Sequence, residues 1–289
     1  MKCGTVTIGD LEVSRLGFGT MRIVGEGVMG MPHDLAAVRE TLRLVPELGI
    51  QLIDTANSYG PLVAELLVRE ALHPYRGLVI ASKGGMLRPG PFQWHTDCRP
   101  EALRKAVEGS LVTLGVERLD LWQLHRIDPA VPLDEQFAAI AEIQRDGLIR
   151  HVGLSNVWNE QIEVARKHFT VAAVQNLYHV IDRRSEPVVD YCEQHGIAFL
   201  AYFPLATGAL AAHDSILQHV AAKIGITPGQ AALAWLLKRS PSIAVIPGTQ
   251  NPDHLRENVA AAAIELSDEH YAAIERIGRK AEQLRAQRR

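Results

Sequence analysis

The 289-residue chain is poor in cysteine, in unbalanced charge and in long apolar runs, and each shortage removes a class of protein. Its three cysteines, Cys3, Cys98 and Cys192, lie far apart and form no C-x-x-C pair. Neither a disulfide framework nor a metal site is expected from them. The formal net charge of -3 lacks the basic excess of a nucleic-acid binder. The one basic-looking segment, "RIGRKAEQLRAQRR" at residues 276–289, also carries Glu282 and reads as a solvated helix end. No run of about 18 apolar residues occurs, and the opening "MKCGTVTIGD" has no apolar core of the kind a secretion signal needs. A cytoplasmic protein with neither nucleic-acid nor membrane partners is the expectation.

What is present is an ordinary globular composition, 47% hydrophobic and 22% charged. Short apolar runs alternate with longer amphipathic ones. The runs read as strands are Leu16–Gly19, Gln51–Ile53, Val79–Ser82, Leu119–Leu124, His151–Leu154, Ala173–Gln175, Ala198–Tyr202 and Ile243–Ile246. Between them lie helical patterns such as "DLAAVRETLRLVPEL", "PEALRKAVEGSLVTLG", "LDEQFAAIAEIQRDG" and "PGQAALAWLLKRS". Their apolar residues recur at three- and four-residue spacing, and several stop at glycine. Strands joined by helices imply parallel βαβ units. Eight of them without a second composition zone predict a single (β/α)8 barrel domain over residues 1–289. The opening "CGTVTIGDLEVS" predicts an added hairpin around Gly9-Asp10, lying over the barrel's bottom.

Active sites of such barrels sit at the C-terminal ends of the strands. The second predicted strand leads into Asp54 and Tyr59, the third into Lys83, the fourth into His125. The fifth leads to Ser155-Asn156, the sixth ends in Gln175-Asn176, the seventh includes Tyr202, and the eighth runs into "PGTQ". Singly, Asp54 reads as a loop or helix cap, Lys83 as an ion-pair partner, His125 as a hydrogen-bonded core histidine, and Gln175 and Tyr202 as rim packing. Together they can do chemistry. A lysine ammonium beside a phenol favours phenolate and lowers the tyrosine pKa. Asp54 would keep Lys83 charged, and His125 could donate to a substrate oxygen as charge develops there. The result is a general acid aimed at a carbonyl oxygen. Hydride must then come from a nicotinamide or flavin. Ser155, Asn156 and Gln175 could bind a carboxamide edge, with Tyr202 as a stacking face. "GEGVMG", Gly25 to Gly30, competes for Asp54 by matching G-x-G-x-x-G. Pro32 and Asp34 start the next helix only after the last glycine, which argues against a dinucleotide fingerprint.

The segments "LGFGTM", "IDTANSYG", "ASKGG", "LDLWQLHRID", "GLIRHVGLSN", "VQNLYH", "LAYFPLATG" and "IPGTQNPDHLRENVAA" resemble, in this order, those of the aldo-keto reductase superfamily. The resemblance covers nearly the whole chain. It implies a (β/α)8 barrel with a C-terminal helical extension and an extended NAD(P)H, bound without a Rossmann domain. It also implies a catalytic tetrad of Asp54, Tyr59, Lys83 and His125, with Tyr59 as the acid. Cofactor contacts would fall on Gly19, Thr20, Met21, Ser155, Asn156, Gln175, Tyr202, Phe203, Pro204, Leu205 and Gly208. They would continue along Ile246, Gly248, Thr249, Gln250, His254, Glu257 and Asn258. The loops "MRIVGEGVMGM" and "GMLRPGPFQWHTD" would add Met29, Met86, Phe92 and Trp94, alongside Met21, as a mostly apolar, adaptable wall for the carbonyl substrate.

Two departures matter. Many members carry a lysine or arginine near Gly248 or Gln250 to grip the 2′-phosphate of NADPH. Here Thr249, Gln250, His254 and Arg256 stand instead, so NADP(H) is the expected cofactor with NAD(H) open. Phe203 replaces a serine common in relatives. The pattern is most similar to a bacterial branch that includes pyridoxal reductases, which makes pyridoxal a candidate substrate. Two competing readings use the same residues. One is a barrel aldolase or isomerase with Lys83 as Schiff-base amine, disfavoured if Asp54 keeps that lysine charged. The other is a nicotinamide-binding regulatory or redox-sensing subunit with negligible turnover, as in the potassium-channel β subunits that resemble this family.

Overall fold

A computed structural model describes residues 1–206 and 215–286. Eight parallel strands follow one another around a barrel in chain order: β3 (Phe18–Gly19), β4 (Leu52–Asp54), β5 (Val79–Gly84), β8 (Leu119–Leu124), β9 (Ile149–Ser155), β10 (Val171–Leu177), β11 (Ala198–Tyr202) and β12 (Ile243–Val245). A short antiparallel ribbon, β6 (Met86–Leu87) with β7 (His95–Thr96), stands in the connection after β5. The barrel closes where Leu16 bridges Val245: Gly17 N–H donates to Val245 O (2.9 Å) and Val245 N–H to Arg15 O (2.9 Å). Between strands run α1 (Leu35–Glu47), α2 (Val63–Leu72), α3 (Pro100–Leu114), α4 (Leu133–Arg145), α5 (Asn159–Ala165), α6 (Glu186–His195), and then α7 (Ser215–Lys223) with α8 (Pro228–Arg239). The C-terminal extension is α9 (Pro252–Ala260) and α10 (Asp268–Ala286). Among the described residues no single helix is long and apolar enough to cross a membrane.

Local chemistry accounts for the helix ends. The Asp34 side chain accepts from Ala37 N–H (2.9 Å) and starts α1 beyond the glycine run. Pro100 opens α3 and Gly115, at φ +71°, ends it in the left-handed conformation that costs glycine least. Thr227 and Gln230 form a reciprocal cap on α8, each side chain accepting from the other's backbone N–H. Strand β5 is buried along its whole length because helices cover one face and the barrel interior the other.

Several strands run further than their apolar residues suggest. β4 includes Asp54, β5 includes Lys83 and Gly84, and β9 includes Ser155. The backbone ladder continues through polar residues whose side chains find partners at the rim, and apolar pattern alone does not mark that. The first strand is shorter, two residues instead of the expected four.

The hairpin β1 (Thr5–Ile8) and β2 (Leu11–Ser14) turns at Gly9-Asp10. Val6, Ile8 and Val13 on its inner face join the barrel interior with Leu52, Val79, Leu121, Ala173, Ala198 and Ala244. It therefore plugs the N-terminal end of the barrel with apolar side chains. The turn is tied down by Asp10, whose carboxylate pairs with Arg150 (2.7 Å) and His151 at the start of β9. These hydrogen bonds hold the Asp10 pKa down to about 2. Because Ile8 is fully buried, Ile8→Ala should lower unfolding stability by about 3 kcal/mol in urea titrations, as a core cavity does. A change below about 1 kcal/mol would mean the hairpin is dispensable to the barrel.

Candidate active site

At the C-terminal end of the barrel a polar network replaces the apolar interior. The Lys83 ammonium is fully buried. It donates to Asp54 Oδ2 (2.5 Å), to the Thr55 carbonyl (2.9 Å) and, at longer range, to the Tyr59 hydroxyl (3.5 Å). Asp54 Oδ1 accepts from Gln175 Nε2 (2.7 Å) and Gln123 Nε2 (3.1 Å), and Gln175 also donates to Gln123 Oε1 (3.2 Å). Asp54, Lys83, Gln123 and Gln175 come from four strands, β4, β5, β8 and β10. Gln123 was not expected from the sequence; its only signal is an uncharged polar residue inside the apolar run "LDLWQL".

Tyr59 stands on the loop between β4 and α2. Its neighbour Gly60 is pinned to the loop after β3, donating to Val28 O (3.2 Å) and accepting from Gly30 N–H (2.9 Å). The Tyr59 and His125 rings meet edge to face at 5.8 Å. Ser58 Oγ lies 3.4 Å from His125 Nδ1, which leaves Nε2 for another partner. Ser58 is a second residue that sequence reading missed.

The charge states follow from burial. Tyr59 is raised well above its ordinary pKa by desolvation first and the Asp54 charge second. The expectation of a net acidified phenol is corrected here: burial and the Asp54 charge outweigh the pull of an ammonium that reaches the hydroxyl only at 3.5 Å and gives its shorter bonds to Asp54 and Thr55. Tyr59 keeps its proton, and since its oxygen accepts from Lys83, its O–H is free to donate elsewhere. Burial lowers the Lys83 pKa while Asp54 and Glu65 act to raise it. His125 is pushed well below the usual imidazole range, by desolvation and then by the Lys83 and Arg126 charges, and is neutral.

Above the network opens a cleft of about 1880 Å³. Asp54, Tyr59, His125, Ser155, Asn156, Gln175 and Tyr202 reach it, while Lys83 lies beneath its floor. Gly19, Met21, Phe203, Pro204, Leu205, Ile246, Gly248, Thr249, Gln250, His254, Glu257 and Asn258 line its length, and Met86, Phe92 and Trp94 form a wall. Two expected residues do not line it. Thr20 is wholly buried with its N–H on Asp54 O (2.9 Å), and Met29 faces Gly60 in the loop-pinning bridge. Gly208 lies outside the described residues.

Three details shape the cleft. A Cβ on Gly248 would stand 2.2 Å from Gly19 O, so the loops after β3 and β12 approach as only glycine permits. Gln250 Nε2 donates across that junction to Arg22 O (2.6 Å) and Val24 O (3.2 Å). Trp94 sits edge-on to His125 at 6.2 Å, with the buried Arg88 guanidinium 3.7 Å above its ring and donating to Gly27 O. The glycine run is a loop holding a single 3-10 turn, Glu26–Val28, in which Gly27 has φ +65°; the first α-helix, α1, begins only at Leu35, beyond the last glycine.

Asn156, held at φ +60°, ties the rim together. It donates to His125 O (3.1 Å) and Ser155 Oγ (3.0 Å) and accepts from Tyr202 OH (2.8 Å). Gln175 spends both amide hydrogens on Asp54 and Gln123, which leaves Oε1 as an acceptor. Ser155, already accepting from Asn156, has its own O–H to donate.

A closed (β/α)8 barrel with a buried Asp–Lys pair under a deep cleft at its C-terminal rim defines the class of protein. The chain belongs to the aldo/keto reductase family, whose model matches residues 15–279, and is of the oxidoreductase type. It is 51% identical to an uncharacterized oxidoreductase of Schizosaccharomyces pombe, over 96% of this chain and 91% of that protein. It is 40% identical to the pyridoxine 4-dehydrogenase of Escherichia coli, over 97% of this chain and 100% of that one. A solved aldo/keto reductase from Klebsiella pneumoniae, in complex with NADP and acetate, superposes with a TM-score of 0.78 at 30% identity, covering 94% of each chain.

The neutral His125 has a consequence for stability. Its pKa in the folded chain lies below the unfolded value of about 6.5. Only the unfolded chain therefore takes up this proton as the pH falls past that value, and the folded state loses stability from there downward. Urea midpoints measured from about pH 8 to about pH 5 should show a slope that His125→Asn reduces by up to one proton. An identical slope in the variant would contradict a depressed imidazole.

Proposed function

We propose that this protein is an NAD(P)H-dependent carbonyl reductase that converts an aldehyde or ketone to the alcohol, with Tyr59 as proton donor. The observation that carries the reading is the buried Lys83, which touches both Asp54 and the Tyr59 hydroxyl beneath the cleft. The dinucleotide fits the residues present. Ser155 O–H and Gln175 Oε1 make an adjacent donor and acceptor, matching the edge of a primary carboxamide. Tyr202 offers a ring face, and the close Gly19–Gly248 junction lets an extended chain of phosphates pass near the backbone. When bound, the reduced nicotinamide would supply hydride to the carbonyl carbon.

The protein's own residues handle the oxygen. The Tyr59 O–H and neutral His125 would both donate to the carbonyl oxygen, polarising it without placing a second cation beside Lys83. As charge grows on that oxygen, the Tyr59 proton moves to it, and the phenolate left behind is stabilised by the Lys83 ammonium. Asp54 keeps that ammonium charged against the pull of burial. Lys83 in this state is a poor Schiff-base nucleophile, which weighs against the aldolase reading. Trp94, Met86 and Phe92 would hold an apolar or aromatic aldehyde and limit water.

The relative named pyridoxine 4-dehydrogenase supports pyridoxal as the leading candidate substrate. The Klebsiella complex supports NADP(H) as the cofactor. The absence of a lysine or arginine at Gly248 and Gln250 keeps NADH in competition, since the Gln250 amide is already used on Arg22 O and Val24 O. Assays of pyridoxal and simple aldehydes with both reduced dinucleotides should show turnover, with a higher kcat/KM for NADPH. Tyr59→Phe should cut kcat by about 10³-fold while leaving dinucleotide affinity, read by fluorescence quenching, within about twofold. Dinucleotide binding without turnover on any carbonyl would instead support the redox-sensing subunit.

A further inference from the structure

We propose that Arg126 is an anion-reading subsite that selects carbonyl substrates carrying an ionised oxygen, a carboxylate or an ionised phenol, near the reacting group. The inference rests on the carbonyl-reductase reading and specifies its substrate class. Arg126 follows His125 directly, lines the cleft and is exposed. Among the described residues its guanidinium has no hydrogen-bond or ion-pair partner, unlike Arg88, Arg183 and Arg184. The neighbouring carboxylate, Asp128, is committed elsewhere: it accepts from the backbone of Cys98 (3.2 Å) and Ala130 (3.0 Å).

The segment that carries Arg126 is held firmly. Gln136 is buried and brackets Asp128, accepting from its N–H (3.1 Å) and donating to its carbonyl (2.9 Å). Cys98 Sγ lies 3.3 Å from Arg126 O. The backbone is thus fixed while the side chain stays uncommitted, the arrangement a recognition residue needs.

The charge count points the same way. Of the acids lining the cleft, Asp54 is paired with Lys83 and Glu257 accepts from Thr227 Oγ1 (2.5 Å). Glu26 lies on the loop after β3 and makes no ion pair with Arg126. The reacting centre itself is close to neutral, with Lys83 against Asp54 and an uncharged His125. Arg126 is therefore an unbalanced positive charge beside it, felt electrostatically by both His125 and Tyr202. Arg22, also in the cleft, stands at the Gly248 junction, its Cβ 3.7 Å from where a Gly248 side chain would begin. A concave wall concentrates such a field on whatever enters. With Trp94 edge-on to His125, the substrate implied is flat, aromatic and anionic. Pyridoxal, whose ring hydroxyl ionises beside its aldehyde, is of this class.

The test uses a matched pair, 4-carboxybenzaldehyde and its neutral methyl ester, with the wild type, Arg126→Gln and Arg126→Lys. Arg126→Gln should raise KM for the acid by about tenfold and leave KM and kcat for the ester within about twofold. Arg126→Lys should restore most of the affinity, and added salt should narrow the acid–ester difference in the wild type and in Arg126→Lys but not in Arg126→Gln. Equal effects on both substrates, or none, would overturn the subsite while leaving carbonyl reduction intact. Binding of 4-carboxybenzyl alcohol, followed by tryptophan fluorescence, separates the two claims. A wild type that binds this acid about tenfold more tightly than Arg126→Gln, yet reduces neither aldehyde, would keep the subsite and sink the reductase reading.

Discussion

The structure depends on one buried ion pair. Lys83 and Asp54 sit where eight parallel strands deliver their C-terminal ends, with almost no exposure to solvent. Two charges removed from water carry a desolvation cost of several kcal/mol each, which close contact alone does not reliably offset. Here Gln123 and Gln175 donate to Asp54 Oδ1 and the Thr55 carbonyl accepts from Lys83, so both members of the couple have hydrogen-bond partners besides each other. Gln123 and Gln175 come from β8 and β10, so these bonds to Asp54 form only when those strands stand in register with β4 and β5.

The barrel interior is divided along its axis by this requirement. Toward the N-terminal end small and branched apolar side chains fill the space, sealed by Val6, Ile8 and Val13 of the hairpin. Toward the other end the polar network begins, and the cleft opens directly above it. Stability is thereby concentrated below and chemistry above. The apolar plug keeps water from reaching the network from beneath, and the low dielectric it maintains pushes Tyr59 up and His125 down.

The loops inherit their positions from the strands, and glycines set how closely they approach. Gly248 meets Gly19, and Gly60 meets the glycine-rich loop after β3, so two junctions that admit no side chain draw the rim together. Asn156 then links His125, Ser155 and Tyr202 through one amide. A residue such as Phe203, at φ +48°, holds a backbone conformation that L side chains rarely adopt directly beside this cluster. The wall residue Trp94 is steadied from behind by Arg88, whose N–H reaches the opposite loop at Gly27.

Much of this was legible in the residues themselves. Alternating apolar and amphipathic runs determined the eight strands, the helices between them and the N-terminal hairpin, because periodicity and caps are properties of neighbouring residues. Polar residues at successive strand ends, with the family resemblance, pointed to Asp54, Tyr59, Lys83 and His125 before any coordinates. Only the tertiary structure decided that Gln123 and Ser58 join them, that Thr20 and Met29 stay out of the cleft, and that Tyr59 holds its proton. The physical reason is distance along the chain. Gln175 meets Asp54 across 121 positions, and hydrogen bonding and desolvation depend on such separations in space, which no local pattern records.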